Sequence, residues 1–216
     1  MMQLFFFEDI KYTNFHPLTL SRPVDNLRTG ILTMAEKWKY ALKASSVNRI
    51  LRPEFHGLFE SGRVEADKNC LNCLWINSRY LPNEPLVDKI TGLSEGQCLQ
   101  HERTVIAAKV DAKRSKQWLN EGSADFNTLF VLETGGFPSI THLWDLFLKN
   151  GEQIERDLDL METTHRGEAQ VSDHAVLEKA ENIYIQNGAV IEAGCVLKAE
   201  AGPIFIGENA RVMAGS

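Results

Sequence analysis

Two arginines, Arg22 and Arg28, fall in a stretch of little periodicity between an apolar run at Gln3–Phe7 and an amphipathic run that begins at Gly30. A guanidinium is planar and presents paired N–H donors to one phosphate. The two could form a phosphate clamp; solvated or loop-tying arginines are the plainer alternative. Thr19, in the same stretch, offers its hydroxyl either to a ligand or to an ST-turn. Glu8 and Asp9 directly follow the first apolar run and could hold Mg²⁺ through carboxylate oxygens, or simply be solvated. Asn77 and Arg79 follow a second apolar run, Leu74–Ile76. No histidine stands with a serine or cysteine in a recognisable catalytic pattern, and His165 and His174 are expected at the surface. Cys70 and Cys73 form a C-x-x-C without a second pair at zinc-ribbon spacing. Cys73 leads into a strand-like run, whereas a thioredoxin-type pair would open a helix. Together with the isolated Cys98 and Cys195 these are expected to be reduced, structural thiols.

The elements that must position these groups read as follows. Gln3–Phe7 is unbroken apolar, as in a strand buried on both faces. Residues 8–28, punctuated by Pro17 and Pro23, form a long loop of the kind that usually carries function. A helix is expected over Gly30–Leu42, with Ile31, Met34, Ala35, Trp38, Ala41 and Leu42 on one face. Strands follow at Val47–Leu51 and Cys73–Ile76, a short helix around Leu86–Ile90, and a strand at Thr104–Val110. Asp111 caps a helix containing Trp118 and Leu119, and Thr128–Leu132 is a further strand. Ser139 is expected to cap a helix with Ile140, Leu143, Trp144, Phe147 and Leu148 as its apolar stripe, which makes Trp38 and Trp144 core residues. Lys149 and Asn150 then sit late in that helix, where lysine complements the dipole. Alternating strands and helices imply an α/β layer architecture.

Near residue 168 the pattern changes. Val171, Leu177 and Ile183, then Ile185, Ile191 and Leu197, then Ile206 and Val212 recur in hexads. Small residues follow many of them: Ala175, Ala189, Cys195, Ala201, Ala210 and Ser216. Such a period is the signature of a hexapeptide β-helix, and Gly202-Pro203 fits a small loop let out of the coil. A meander of short antiparallel strands is the alternative. The repeat stops in mid-hexad at Ser216, so the natural chain is expected to continue into further coils.

The 216 residues carry 23 basic and 29 acidic side chains, a net charge of −6. That balance argues against broad nucleic-acid binding. No apolar run approaches the ~20 residues of a membrane span, and Met1–Phe7 lacks the basic start of a signal peptide. A soluble cytoplasmic protein is expected.

Several blocks carry a resemblance. Pro17-Leu18-Thr19-Leu20-Ser21-Arg22-Pro23 resembles the P-L-T-x-x-x-P part of the sugar-1-phosphate nucleotidyltransferase signature. The block from Arg22 to Thr33, ending at Glu36-Lys37-Trp38, is closer to a divergent bacterial branch. That branch is similar to the bifunctional N-acetylglucosamine-1-phosphate uridylyltransferases/glucosamine-1-phosphate acetyltransferases. Trp144–Gly151 and Gly202–Ala210 resemble the same branch. The resemblance implies a nucleotide-diphospho-sugar transferase-like three-layer α/β domain over 1–168 and the start of a left-handed hexapeptide β-helix over 169–216. It implies a nucleoside triphosphate and a sugar 1-phosphate as substrates, uridylyl or thymidylyl transfer, Mg²⁺ as cofactor, and a role with cell-envelope sugar nucleotides. The family's Gly-rich loop after the first strand is replaced by Phe7-Glu8-Asp9-Ile10-Lys11, and its signature lysine by Val24. Arg22 is therefore the expected catalytic cation, with Thr19 and Arg28 as substrate contacts. The resemblance also places sugar and metal contacts after a central strand, at Asn77 and Arg79 here; no metal ligand is assigned.

Three readings stay open: the nucleotidyltransferase, a catalytically degenerate binding or scaffold domain of the same fold, and an acyltransferase whose site needs coils beyond this chain. The exposed coil end invites pairing with a second copy.

Overall fold

The computed structural model describes residues 2–59, 72–162 and 167–216; Cys70 and His165 lie outside the described residues. The chain forms two compact units, Met1–Leu148 and Lys149–Ser216.

The first unit is built on a sheet of β1 (Met2–Phe7), β2 (Ser46–Arg49), β3 (Asn72–Asn77), β4 (Gln97–His101), β5 (Thr104–Val110) and β6 (Phe130–Glu133). Its order is β2-β1-β3-β5-β4-β6. Strands β2, β1 and β3 run parallel, β5 runs antiparallel between β3 and β4, and β6 is parallel to β4. The apolar run of β1 is continuous because both of its faces are covered. Leu4 and Phe6 pack with Ala35, Trp38 and Leu42, and with Leu86 and Ile90. Phe5 and Phe7 pack with Trp75 and Trp118 on the other face. Helices α1 (Met34–Ala41) and α2 (Glu84–Thr91) thus cover one face, and α3 (Ala112–Glu121) the other. Two of the buried indoles donate hydrogen bonds: Trp38 to the Tyr80 carbonyl at 2.8 Å, and Trp75 to Ser115 Oγ at 3.0 Å.

Helix α1 starts later than expected. Gly30 takes φ 81° and Arg28 bridges Thr33, so residues 28–33 form a tight turn. Thr33 then closes a capping box. Its Oγ1 accepts from the Glu36 amide at 3.2 Å, and its own amide donates to Glu36 Oε2 at 2.7 Å. Thr33→Ala is expected to cost about 0.5–2 kcal/mol of stability, read as a lower urea midpoint at unchanged m.

The helix expected from Ser139 is not there. Ser139 bridges Tyr80, and residues 140–144 form turns rather than helix. Helix appears only in the single turn α4 (Asp145–Leu148) and in α5 (Asn150–Met161). Lys149 and Asn150 therefore open a helix instead of ending one. Trp144 is half exposed and not a core residue, whereas Trp38 is fully buried. Strand β4 was not legible, because Cys98 and Leu99 are its only buried apolar residues. Cys98 and Cys195 are buried free thiols, and Cys73 is buried in β3.

In the second unit, residues 183–216 hold only short strands and turns. These form small parallel sheets. Gln170–Val171 pairs with Val190–Ile191, which pairs with Arg211–Val212. Val176–Glu178 pairs with Val196–Lys198, and Ile183–Ile185 with Ile204–Ile206. The aliphatics of the hexad pattern, with Ala175, Ala189 and Cys195, form one apolar cluster. Gly188 is required at its turn: φ is 72°, and a Cβ there would collide with the Asn209 side chain.

Candidate functional site

Strand β1 is flanked by β2 on one side and β3 on the other, all three parallel, so the order of the strands switches at the β1/β3 crevice. In open α/β sheets ligands bind beyond the carboxyl ends of strands at such a point. Glu8 and Asp9 leave β1 there, and Asn77, Ser78 and Arg79 leave β3. The structure ties them together. Arg79 Nε donates to Asp9 Oδ1 at 2.9 Å, and Arg79 Nη2 donates to Asp9 Oδ2. Asn77 Nδ2 donates to Asp9 Oδ2 and to the Val105 carbonyl, each at 3.0 Å. Asn77 Oδ1 accepts from the Arg79 amide at 3.2 Å, and Arg79 Nη1 donates to the Ile140 carbonyl at 3.1 Å. Both Asn77 and Arg79 are buried.

The long loop is not loose. It forms three 3₁₀ turns, Ile10–Phe15, Leu18–Leu20 and Val24–Asn26. Glu8 holds it from the strand side: Oε1 accepts from the Val24 amide at 2.7 Å, and Oε2 from Arg52 Nε at 2.8 Å. Arg52 also donates to the Thr19 carbonyl at 2.6 Å and to Glu54 at 2.8 Å. Its guanidinium lies 4.2 Å from the Tyr12 ring centre and 4.4 Å from that of Phe55. A second pair, Arg49–Asp25 at 2.7 Å, anchors the third turn. Beside Glu8 and Arg52 opens a cavity of about 420 Å³, lined also by Phe7, Tyr12, Ile50 and Phe126.

The expected site residues thus divide. Asn77 and Arg79 converge on Asp9. Thr19 is buried, with its hydroxyl donating to the Tyr12 carbonyl at 2.9 Å. Arg22 is exposed and makes no ion pair among the described residues. Arg28 is exposed, with Glu36 Oε2 3.8 Å away. Sequence reasoning missed Arg49 and Arg52. The available signal was positional: both sit at the carboxyl end of a strand, as Arg79 does.

Residues 4–166 match the family model described as sugar nucleotidyl transferase. The chain belongs to the sugar nucleotidyl transferase family. No curated protein matches the chain.

Within this transferase family Mg²⁺ is the expected cofactor, and the two carboxylates do not fit it as they stand. Both oxygens of Glu8 and both of Asp9 already accept N–H donors, guanidinium N–H among them. Octahedral Mg²⁺ needs carboxylate oxygens free to face it. Among the described residues, no three His, Cys, Asp or Glu side chains converge to hold a metal. The electrostatics agree for Asp9. Burial pushes its carboxyl up, but the hydrogen bonds from Arg79 and Asn77 and the Arg79 charge outweigh this and hold it below the usual range. Burial dominates at Glu8 and raises it, with the Val24 amide and Arg52 offsetting only part. Burial likewise raises Asp25 against the opposing Arg49 charge.

Proposed function

We propose that this family member is a sugar-1-phosphate nucleotidyltransferase supplying cell-envelope sugar nucleotides in the cytoplasm. A phosphate oxygen of the sugar 1-phosphate attacks the α-phosphorus of a nucleoside triphosphate in line. The bond from that phosphorus to the bridging oxygen breaks, and pyrophosphate leaves. The attacking oxygen is already ionised at neutral pH, so no protein base is needed. Mg²⁺ would neutralise charge on the phosphates, and none of the described residues is assigned to hold it. In this reading Arg22 meets the phosphates, Arg28 is a second cation, and Asn77, Arg79 and Thr19 shape the crevice and its loop. The observation that carries this reading is the β1/β3 crevice, edged by a loop with an exposed Arg22 that makes no ion pair among the described residues, in a chain of this family. In the same reading the catalytic domain spans 1–168. Residues 169–216 begin a left-handed hexapeptide β-helix whose end pairs with a second copy.

One observation favours a catalytically degenerate binding domain instead: the strand-end carboxylates are already neutralised by Arg52 and Arg79. Pyrophosphate release over a panel of sugar phosphates with UTP and dTTP separates the two. Release supports transfer; calorimetric binding without release supports the degenerate domain. Hydrogen bonds to charged groups contribute roughly 1.5–3 kcal/mol, so Arg22→Ala is expected to weaken UTP binding by about ten- to a hundredfold. Arg22→Lys recovers only part, lacking the planar fork. Unchanged affinity in Arg22→Ala removes Arg22 from the site.

A further inference from the structure

Trp144 is the exception among the four tryptophans. Trp38, Trp75 and Trp118 are at most 3% exposed, and Trp144 is 51% exposed. It is nonetheless held in place. The His142 ring lies parallel to the indole, with centroids 4.5 Å apart and planes within 5°. The amides of Thr141 and His142 both donate to Asp145 Oδ2, at 2.7 and 2.9 Å, which fixes the turn that carries both rings.

This turn is bonded to the loops that edge the β1/β3 crevice. The Ile140 amide donates to the Arg79 carbonyl at 2.8 Å. Asn14 Nδ2, from the loop after β1, donates to the Thr141 carbonyl at 3.0 Å. Thr29 Oγ1 donates to the Leu146 carbonyl at 2.8 Å, which sets exposed Arg28 on the segment next to the aromatic pair. An exposed indole face on a segment bonded to the one that carries the exposed Arg28 guanidinium, itself 3.8 Å from Glu36 Oε2, complements a molecule with a planar ring at one end and phosphates at the other.

We propose that Trp144, backed by His142, is the stacking platform for the base of a nucleoside triphosphate whose phosphates meet Arg28. The proposal rests on the reading that this edge of the sheet takes a nucleotide. It adds the base-recognition surface, which the strand-end residues do not supply.

Because the other tryptophans are buried, a nucleotide-dependent change in emission reports on Trp144. UTP is expected to quench the full chain, while inorganic tripolyphosphate binds without quenching. Trp144→Ala is expected to weaken UTP binding about tenfold or more, in line with base–aromatic stacking, and to leave tripolyphosphate affinity unchanged. Trp144→Phe keeps most of the UTP affinity and loses the optical signal. UTP binding by calorimetry, with no emission change and unaltered affinity in Trp144→Ala, overturns the platform and leaves the proposed function standing. No UTP binding at all removes both. Emission that shifts with protein concentration in the absence of nucleotide, with dimers in sedimentation, also overturns the proposal and assigns the patch to a second copy.

Discussion

Arg79→Ala is expected to destabilise the first unit by about 3–5 kcal/mol, the range for breaking a buried ion pair from one side. Arg79 is 3% exposed at its side chain and Asp9 22%. Removing the guanidinium leaves a carboxylate with Asn77 and the Lys11 amide as its remaining donors. Removing both charges, in Asp9→Leu/Arg79→Leu, is expected to recover much of the loss, because replacing a buried pair by apolar groups is often close to neutral. The pH dependence has a definite sign. The folded-state pKa of Asp9 lies below its ordinary 3.8. Its contribution is therefore fully present above that value and is lost as the pH falls through the folded pKa. The stability gap between wild type and Arg79→Ala should be largest near neutral pH and narrow as the pH falls, because burial without Arg79 lets the variant's Asp9 carboxyl take a proton earlier. Glu8 and Asp25 are shifted upward, so their protonation favours the folded state as pH falls. Because both variants retain them, they cancel from the gap. Urea titrations at several pH values measure it. A gap below 1 kcal/mol at neutral pH, or one that widens in acid, contradicts the assigned pairing.

Legibility in the sequence followed the kind of physics involved. Strands β1, β3 and β5 were readable because their apolar runs are buried on both faces of the sheet. Helix α3 was readable because Asp111 caps it, accepting from the Arg114 amide at 2.6 Å. The aliphatics picked out by their six-residue spacing share one apolar cluster. What failed had a tertiary cause. Ile140 through Leu148 has helical spacing, but Ile140 is drawn to Arg79 and Ser139 to Tyr80, so the stripe never winds into one helix. That spacing predicts Trp144 in the core, and the indole stands half exposed for the same reason. At the candidate site, Asn77 and Arg79 could be picked out by position after a strand. Their capture by Asp9 could not, because it joins residues distant in sequence. The role of Arg52 was hidden for the same reason: its partners Glu8, Tyr12 and Thr19 all come from another segment.

Arg52→Ala is expected to release the loop while leaving the central strands in place. The guanidinium sits between the Tyr12 and Phe55 rings, pairs with Glu8 and Glu54, and donates to the Thr19 carbonyl. It thereby joins the strand end, the loop and the Pro53–Phe55 turn. Its loss leaves Glu8 buried with only the Val24 amide as partner. Burial already raises the Glu8 carboxyl against the Arg52 charge, so without that charge it moves further up and takes a proton more readily. A neutral carboxyl is a weaker acceptor for Val24, and the third turn loosens with it. Hydrogen exchange should therefore speed up over residues 10–27 while the amides of β3 and β5 keep their protection, the mark of a local opening. The expected stability cost is about 3 kcal/mol or more, since one partner of a buried pair is removed. Arg52→Lys should recover less than half of it, because an ammonium cannot lie flat between two rings while donating to Glu8 and Thr19 together. Uniformly faster exchange across β3 and β5, with no excess in the loop, would show that Arg52 supports general packing and is not the loop's anchor.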